Sequence, residues 1–336
     1  MEKVPRLKVI TVIPGGGSGG SMVFAKRQDS ALSELGADIR QFFLSSRVNP
    51  IRLLSEWVRF RKEINKFKPD VIYCHYGTVT AFFAASATSL PIVVVFRGGD
   101  INPRYGGNRV RAFFARFLSL CAALKAKQVI CVSNEIAARL PHFSYKIQVL
   151  PTGVSSTFFA PCSQNDSRAK LGWEHNNPVV LFNAGLAPAI KRLDLAMRAV
   201  DEARKVNPDI RLFVLDGNIP PDEMPIYHNA ADVLLVTSDS EGSPTIVQEA
   251  IACGLPVVSV PVGDVSIRTQ KVFPSKIVPK DSAKIAGAIL DMVSLRQRSN
   301  GPDIAAKEFD DRVVAGKVLE ILLCAANLGA CAEGRP

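Results

Sequence analysis

The alternation of short apolar runs with helical segments is the feature that most constrains how this chain of 336 residues can fold. Leu7–Ile13, Val71–Cys74, Ile92–Phe96 and Val179–Phe182 are rich in β-branched residues and nearly free of charge. Such runs are typical of strands that are buried on both faces of a parallel sheet. Between them lie helical segments such as Ile51–Lys68, whose apolar residues are three and four positions apart. The pattern predicts an α/β protein with doubly wound parallel sheets.

A loop-rich segment divides this pattern in two. Leu150–Asp166 contains Pro, Gly and Ser residues, and the strand–helix alternation restarts after it. We therefore predict two Rossmann-like domains facing a cleft, residues 1–155 and 156–336, with ligands at the carboxyl ends of the strands. A helix over Lys191–Lys205 and a closing helix over Ile304–Leu323 are assigned to the second domain. In the first domain, we expect Phe113, Phe117, Leu120 and Leu124 to pack in the core.

Three features favour a cytoplasmic protein. Val71–Phe96 is a stretch of 26 residues without Lys, Arg, Asp or Glu, long enough to span a bilayer. However, Gly77, Pro91 and several Thr and Ser residues interrupt it, which favours a strand, a helix and a strand. The first ten residues carry charges where a secretory signal needs apolar residues. The seven cysteines are odd in number and lack a Cys-x-x-Cys pair, which argues against a disulfide framework and a zinc site.

The positive charge lies in the N-terminal half alone. Residues 1–150 contain 22 Lys and Arg against 9 Asp and Glu, whereas the remainder contains 19 against 22. Such a field favours an anionic partner, although a solubilising surface explains it equally well. Among anionic partners we expect reversible contact with an anionic membrane and no nucleic acid. The helix predicted over Ile51–Lys68 is the basic surface for this contact: it carries Arg52, Arg59, Arg61, Lys62, Lys66 and Lys68.

A glycine-rich loop follows the first predicted strand. Gly15, Gly17 and Gly20 fit the G-x-G-x-x-G pattern, whose glycines let the backbone approach a phosphate at a helix start. The loop lacks the Gly-Lys-Ser/Thr of a Walker sequence. It is compatible with a nicotinamide-dependent enzyme, and Arg47 after the second strand suits the 2′-phosphate of NADP. An NADP-dependent oxidoreductase is therefore one alternative function.

The segment Ser238–Gly263 carries a stronger signal. Glu241 and Glu249 are eight residues apart and can share a helix face if the helix starts early. Gly242–Thr245 between them has the composition of a helix start, where free amides face a pyrophosphate or a sugar. Two carboxylates around an anion-binding turn suit a nucleotide sugar. By spacing alone, a capping glutamate and a surface glutamate explain the pair equally well.

This segment resembles the Glu-x7-Glu signature of the retaining GT-B-fold glycosyltransferases of family four. The resemblance extends over about residues 7–270. It implies transfer of a hexose-type sugar from a nucleoside diphosphate sugar to a glycan, glycolipid or polyprenyl-linked acceptor, without a metal or other cofactor. A non-catalytic nucleotide-sugar-binding protein is the remaining alternative. Further segments match in order: Pro69–Gly77, Val93–Asn102, Val129–Leu140, Val149–Phe159, Asn183–Val200 and Met224–Ser238.

The resemblance also implies roles for the matched residues. Glu241 contacts the donor sugar near its 3-hydroxyl, Glu249 holds the ribose hydroxyls, and Lys191 neutralises the donor diphosphate. Gly19 and Gly20 lie near the diphosphate and the acceptor. The backbone of four further residues surrounds the sugar and the phosphate: Gly242, Ser243, Pro244, which has no amide hydrogen, and Thr245.

The chain departs from the family pattern at three places. Leu186 follows Gly185 where the family carries Arg, and we assign the second cation of the site to Arg192. Arg97 stands where the family often has His. The interval of nine residues between Gly217 and Tyr227 lacks a strand and a helix that the family normally has, so we expect a shortened second domain.

Four histidines complete the candidate residues. His75 follows a predicted strand, and with Arg97 and Asp100 we assign it to the acceptor or sugar cleft. The other three lack a spacing that suggests a partner, and we expect them at the surface: His142, His175 and His228.

Overall fold

A parallel sheet forms the centre of the first of two units in the computed structural model, which describes residues 6–17, 22–101, 109–185 and 187–329. The first unit runs to Gly153 and resumes at Asp311, and Val154–Asp310 forms the second. The first unit contains β1 (Lys8–Pro14), α1 (Val23–Glu34), β2 (Asp38–Leu44), α2 (Pro50–Phe67), β3 (Val71–Cys74), α3 (Thr78–Ala87), β4 (Ile92–Phe96), α4 (Arg109–Lys125), β5 (Gln128–Cys131), α5 (Asn134–Ala137), a 3₁₀ helix (Pro141–Lys146) and β6 (Ile147–Val149).

The strands of the first unit follow the order β2-β1-β3-β4-β5-β6. All neighbouring strands are parallel, and β3 and β4 are buried along their whole length, as the apolar runs predicted. The chain passes from β1 to β2 on one side and returns to β3 on the other. The carboxyl ends of β1 and β3 therefore form the topological switch point of this sheet, where ligands of such folds bind.

The segment Val71–Phe96 folds as β3, α3 and β4, which confirms the prediction of strand, helix and strand. In the part of the chain that the structure describes, no helix is long and apolar enough to cross a membrane. The thiols of Cys74, Cys121, Cys131, Cys162 and Cys253 are free, as expected, but Cys324 is disulfide-bonded.

The second unit contains a shorter parallel sheet. Its order is β11-β10-β9-β7-β8, with the switch point between β7 and β9. Residues 216–223 form turns, so the strand and helix missing from the sequence are missing here too. The elements are α6 (Gln164–Leu171), β7 (Val179–Asn183), α7 (Pro188–Lys191), α8 (Leu193–Arg204), β8 (Arg211–Leu215), α9 (Met224–Ala230), β9 (Val233–Val236), α10 (Thr245–Ala252), β10 (Val257–Ser259), α11 (Val265–Thr269), β11 (Lys276–Ile277), α12 (Ser282–Leu295) and α13 (Gly301–Glu308).

The predicted closing helix over Ile304–Leu323 is two helices, α13 and α14 (Asp311–Ala325). The helix breaks because the backbone N–H of Val154 donates to Phe309 O, and the carboxylate of Asp310 accepts from the N–H and hydroxyl of Ser156. Beyond this break, α14 packs against α1 of the first unit. Residues 311–329 therefore belong to the first unit and not, as predicted, to the second domain.

The helix predicted over Lys191–Lys205 is confirmed by α8, but it starts two residues later than expected. The chain breaks at Arg192, which adopts a left-handed conformation with φ 57° and separates α7 from α8. The hydroxyl of Thr237 donates to the carbonyls of Lys191 and Arg192 and so satisfies the end of α7. On α4, Phe113, Phe117 and Leu124 are exposed rather than buried in the core.

Candidate functional site

Three neighbouring strands of the second unit end at the same edge of its sheet. The segment after β7 leads into α7 and ends at Lys191, the segment after β9 carries Glu241, and the segment after β10 carries Asp264. A backbone hydrogen bond from Asp239 N–H to Ile190 O joins the first two segments. Since the switch point lies between β7 and β9, the fold brings the predicted donor residues to the position where ligands bind in such sheets.

Lys191 and Glu241 form the centre of this edge. Lys191 Nζ lies 2.5 Å from Glu241 Oε1, and Ser238 Oγ donates to the same oxygen at 2.8 Å. The side chains are 22% and 13% exposed, so the pair is partly shielded but open to a ligand. Because an ammonium has three N–H donors, Lys191 retains donors for an anion while it holds Glu241.

Arg192 is differently placed from its neighbour. Its guanidinium makes a bidentate contact with Asp194 at 2.9 and 3.0 Å and reaches Asp239 at 3.4 Å. This guanidinium lowers the pKa of Asp194 to about 2. Lys280 also binds Asp239, at 2.8 Å. Arg192 therefore belongs to a network of exposed charges, whereas Lys191 contacts Glu241.

Glu241 lies in the loop before α10, which begins at Thr245. Because Glu241 lies outside the helix, the helical repeat does not place Glu241 and Glu249 on one face, contrary to the sequence prediction. Pro244 occupies the N-cap position with an extended backbone, and no side chain forms a capping hydrogen bond there. The start of α10 at Thr245 confirms the predicted helix start, and its amides suit an anion, which stays a prediction.

A buried carboxylate supports this loop. Asp264 Oδ2 accepts from the hydroxyl of Ser243 and from Arg268 Nε, both at 2.8 Å, and Gln248 donates to Ser243 at 2.9 Å. Burial raises the pKa of Asp264, and the Arg268 guanidinium opposes this shift. A side chain at Gly263, where φ is +55°, would place its Cβ 2.7 Å from the carbonyl oxygen of Gly242. The two loops are therefore packed without room for a side chain at that position.

Glu249 lies within α10 beside an unexpected neighbour. The carboxylate is 15% exposed, and its Oε2 lies 3.5 Å from His228 Nε2. His228 is fully buried, so its assignment to the surface is wrong. Neither ring nitrogen of His228 has a hydrogen-bond partner in the structure. His142 and His175 are exposed, as expected.

Sequence reasoning missed three residues of this site: His228, Asp264 and Arg268. Asp264 and Arg268 are four residues apart, a spacing that places them on one side of a helical turn. This spacing and the glycine before Asp264 are the sequence features that could have indicated the pair. The contact of His228 with Glu249 joins α9 and α10, and no local pattern indicates it.

The switch point of the first unit holds a buried polar network instead. His75 is fully buried, and its Nε2 lies 2.8 Å from Asp29 Oδ1. The other oxygen of Asp29 accepts from Thr11 at 2.7 Å and from Gln41 at 2.8 Å. Burial lowers the pKa of His75, so we assign a neutral ring that donates from Nε2. The assignment of His75 to direct contact in a cleft is therefore wrong in this structure.

Arg97 is fixed by the same network. Its guanidinium nitrogens donate to the carbonyl of His75, to Thr152 Oγ1 and to Gln28 Oε1, and Nη2 lies 3.4 Å from His75 Nδ1. The guanidinium also lies 4.1 Å from the centre of the Phe24 ring. Arg97 is half-buried and can still offer part of its surface to a ligand.

Asp100 supports the backbone at the end of β4. Its carboxylate accepts from the N–H groups of Gly77, Arg97 and Gly98 at 2.9–3.2 Å. Burial raises the pKa of Asp100, and these hydrogen bonds oppose the rise. In this structure Asp100 therefore acts as a turn cap, and its contact with an acceptor or a sugar stays a prediction.

The glycine loop is only partly described. Gly15 N–H donates to Leu44 O at 3.0 Å, and Lys26 Nζ donates to Gly17 O at 2.7 Å. Gly19 and Gly20 lie outside the described residues, and so does Leu186.

Two family models match separate parts of the chain. A family model for Glycosyltransferase Family 4 matches residues 20–158, and a model for Glycosyl transferases group 1 matches residues 213–308. Among solved structures, sucrose-phosphate synthase from Thermosynechococcus elongatus has a TM-score of 0.76 at 16% identity, with 95% of this chain and 100% of that chain covered. Anabaena Alr3699/HepE in complex with UDP and glucose has a TM-score of 0.72 at 16% identity, with 94% and 99% covered.

Two curated relatives match parts of the chain at higher sequence identity. The candidate teichuronic acid biosynthesis glycosyltransferase TuaC of Bacillus subtilis is 27% identical over 66% of this chain and 60% of its own length. The D-inositol 3-phosphate glycosyltransferase of Acidothermus cellulolyticus is 30% identical over 43% of this chain and 40% of its own length. The matched regions thus span less than two thirds of these relatives. The two matching family models and the GT-B architecture of both units nevertheless agree, and the chain belongs to the group 1 glycosyltransferases of the GT-B fold.

Proposed function

We propose that this protein is a retaining hexosyltransferase that moves a sugar from a nucleoside diphosphate sugar to a glycan, glycolipid or polyprenyl-linked acceptor. The observation that carries the proposal is the Lys191–Glu241 pair beside the start of α10, at the switch point of the second sheet. A cation, a carboxylate and free helix-start amides suit the diphosphate and the hydroxyls of such a donor.

In the proposed reaction, the bond between the anomeric carbon and the β-phosphate oxygen breaks as the acceptor oxygen bonds to the same face of that carbon. The acceptor proton passes to an oxygen of the departing diphosphate, so no protein base is required. The Lys191 ammonium and the backbone amides at Ser243 and Thr245 stabilise the charge that develops on the diphosphate. Glu241 orients the sugar through its hydroxyls and holds Lys191 in place.

We assign the remaining donor contacts to side chains near the same edge of the second sheet. Glu249 binds the ribose hydroxyls, and the buried His228 lies 3.5 Å from its carboxylate. We assign the diphosphate contact to Lys191, because Arg192 already binds Asp194 and Asp239. The side-chain cation and the amides neutralise the diphosphate, so we propose that turnover needs no metal.

The names of related proteins support a role in the cell envelope. HepE has been crystallised with UDP and with UDP-glucose, and TuaC is associated with teichuronic acid. We propose that the protein works in the cytoplasm, at the inner face of the membrane, where envelope precursors carry anionic headgroups. On α2, the two acidic residues are paired with arginines, Glu56 with Arg59 and Glu63 with Arg40, so the exposed basic residues dominate this surface.

A donor panel tests this function. The purified chain is incubated with UDP-, GDP- and ADP-sugars, with and without EDTA, and nucleoside diphosphate release is measured. We expect release from one class of donor, unchanged by EDTA, and retention of anomeric configuration by NMR when an acceptor is present. No release from any donor favours a non-catalytic binding protein, and NADPH binding favours an oxidoreductase.

A further inference from the structure

An exposed row of large apolar side chains lies on α4. Val110, Phe113, Phe114, Phe117 and Leu124 are between 52% and 71% exposed. Their spacings of three, four and seven residues place them on one side of the helix, and we call them the α4 stripe. Several large apolar side chains exposed side by side are typical of a binding site for another molecule.

The α4 stripe continues into a cavity of the first unit. This cavity of about 720 Å³ lies at the carboxyl ends of β2, β3 and β4, where parallel sheets bind their ligands. Phe114 lines the cavity, and its ring packs edge-on against Phe113 with 5.8 Å between the ring centres. Val48 also lines the cavity; it is 79% exposed, and the exposed Ile51 of α2 follows three residues later in the chain.

The charge of the cavity selects the kind of ligand. Arg47, Arg111 and Arg116 contribute to its lining. Asp100 is the sole carboxylate among the described lining residues, and its oxygens already accept three backbone N–H groups. Residues 109–125 of α4 contain no Asp or Glu. Three arginines beside an apolar surface suit an anionic group, above all a phosphate, that is attached to a hydrocarbon chain.

We propose that the first unit binds a lipid phosphate as the sugar acceptor or its carrier. The phosphate lies in the cavity near Arg47, Arg111 and Arg116, and the hydrocarbon chain runs past Phe114 onto the α4 stripe. The inference rests on the proposed transferase function and selects a lipid-linked acceptor over a free glycan. It also gives the exposed rings a function: they contact the hydrocarbon of the ligand at the membrane surface.

Calorimetric titration of the full chain with monomeric farnesyl phosphate tests this site. Inorganic phosphate and farnesol are the comparison ligands, and the donor nucleotide found by the panel is titrated in parallel. We expect farnesyl phosphate to bind at least tenfold more tightly than either comparison ligand. Phe113→Ser/Phe117→Ser should weaken its binding about tenfold or more, because two large apolar contacts are lost. Arg116→Gln should weaken it about fivefold.

The matched control is Tyr145→Ser, which removes an aromatic ring of the same unit that is 78% exposed and lies outside the stripe. This variant should bind farnesyl phosphate like the wild type, and all variants should bind the nucleotide equally. Equal affinity for farnesyl phosphate and inorganic phosphate, or wild-type affinity in Phe113→Ser/Phe117→Ser, would overturn the lipid site. So would a dimer that this double variant dissociates. Failure of nucleotide binding with intact lipid binding would contradict the proposed function while supporting this site.

Discussion

The ligand-binding edges of the two sheets use their polar residues in opposite ways. In the second unit, Lys191 and Glu241 are paired in partly exposed loops and retain capacity for a ligand. In the first unit, His75 and Asp29 are buried and bind each other, and the surface beyond them is apolar and basic. A charged motif therefore indicates a ligand site only where its side chains stay accessible. In our proposal, the donor site is recognised by its paired side chains, and the acceptor site by the shape and charge of its surface.

The largest effect is expected at Glu241. Glu241→Gln should lower kcat/KM about 100-fold or more, because a contact that stabilises the transition state contributes on the order of 3 kcal/mol. Glu202→Gln is the control, since Glu202 is also a salt-bridged glutamate of the second unit, but on the exposed side of α8. Steady-state kinetics with the accepted donor measure both variants. Near-normal turnover of a folded Glu241→Gln protein would remove this residue from the mechanism.

His75 should instead affect stability. His75→Ala leaves Asp29 Oδ1 buried without its 2.8 Å partner and opens space beside Tyr73, whose ring centre lies 4.5 Å from that of His75. We expect the free energy of unfolding to fall by about 2–3 kcal/mol. Urea denaturation measures the loss. A stable His75→Ala variant that has lost activity would show that the first unit's network acts in catalysis.

The neighbours Lys191 and Arg192 should differ sharply. Lys191→Ala should lower kcat/KM about 30-fold, because its charge meets the diphosphate before and during departure. Arg192→Ala should lower it less than threefold, since Arg192 serves an exposed network. The two variants are matched controls for each other. The opposite ranking would move the diphosphate site by one residue.

Glu249 should contribute to binding rather than to the chemical step. Glu249→Ala should raise KM for the donor about tenfold and change kcat little, because ribose contacts hold the ground state and the transition state alike. Initial rates over a range of donor concentrations separate the two constants. An unchanged KM contradicts the ribose assignment.

The smallest effect is a dependence of stability on pH. The lowered pKa of His75 means that the folded state binds fewer protons than the unfolded state below about pH 6.5. Stability should therefore be complete above that pH and fall by about 1 kcal/mol between pH 6.5 and 5.5. Denaturation of the wild type and of His75→Gln at both pH values isolates this contribution. Equal pH dependence in the two proteins would show that His75 is not its source.

The sequence alone predicted the class of fold and most strands, because buried parallel strands are continuous apolar runs that few other structures share. The boundaries of β3 and β4 agree with the predicted ones to the residue. The break between α13 and α14 was not predictable, since it depends on contacts of Ser156 with Asp310, 154 residues away. For the same reason, the sequence did not predict that the chain returns to the first unit at Asp311.

Among the site residues too, those in one local motif could be predicted, and those joined by contacts between distant segments could not. Glu241, Gly242 and Ser243 belong to one continuous motif, so their common location could be predicted. His228 beside Glu249 depends on the packing of α9 against α10. On α4, the apolar spacing was correctly identified as one helix face, but spacing does not tell whether that face meets the core or a ligand.

Crystals of the full chain with UDP, or with the nucleoside diphosphate that the donor panel identifies, test the central claim most directly. We expect the diphosphate within hydrogen-bond distance of Lys191 Nζ and the amides at Ser243 and Thr245, and the ribose hydroxyls at Glu249. Nucleotide density at the glycine loop around Gly15 and Gly17, with none at Lys191, would contradict this assignment and favour a dinucleotide-type site in the first unit.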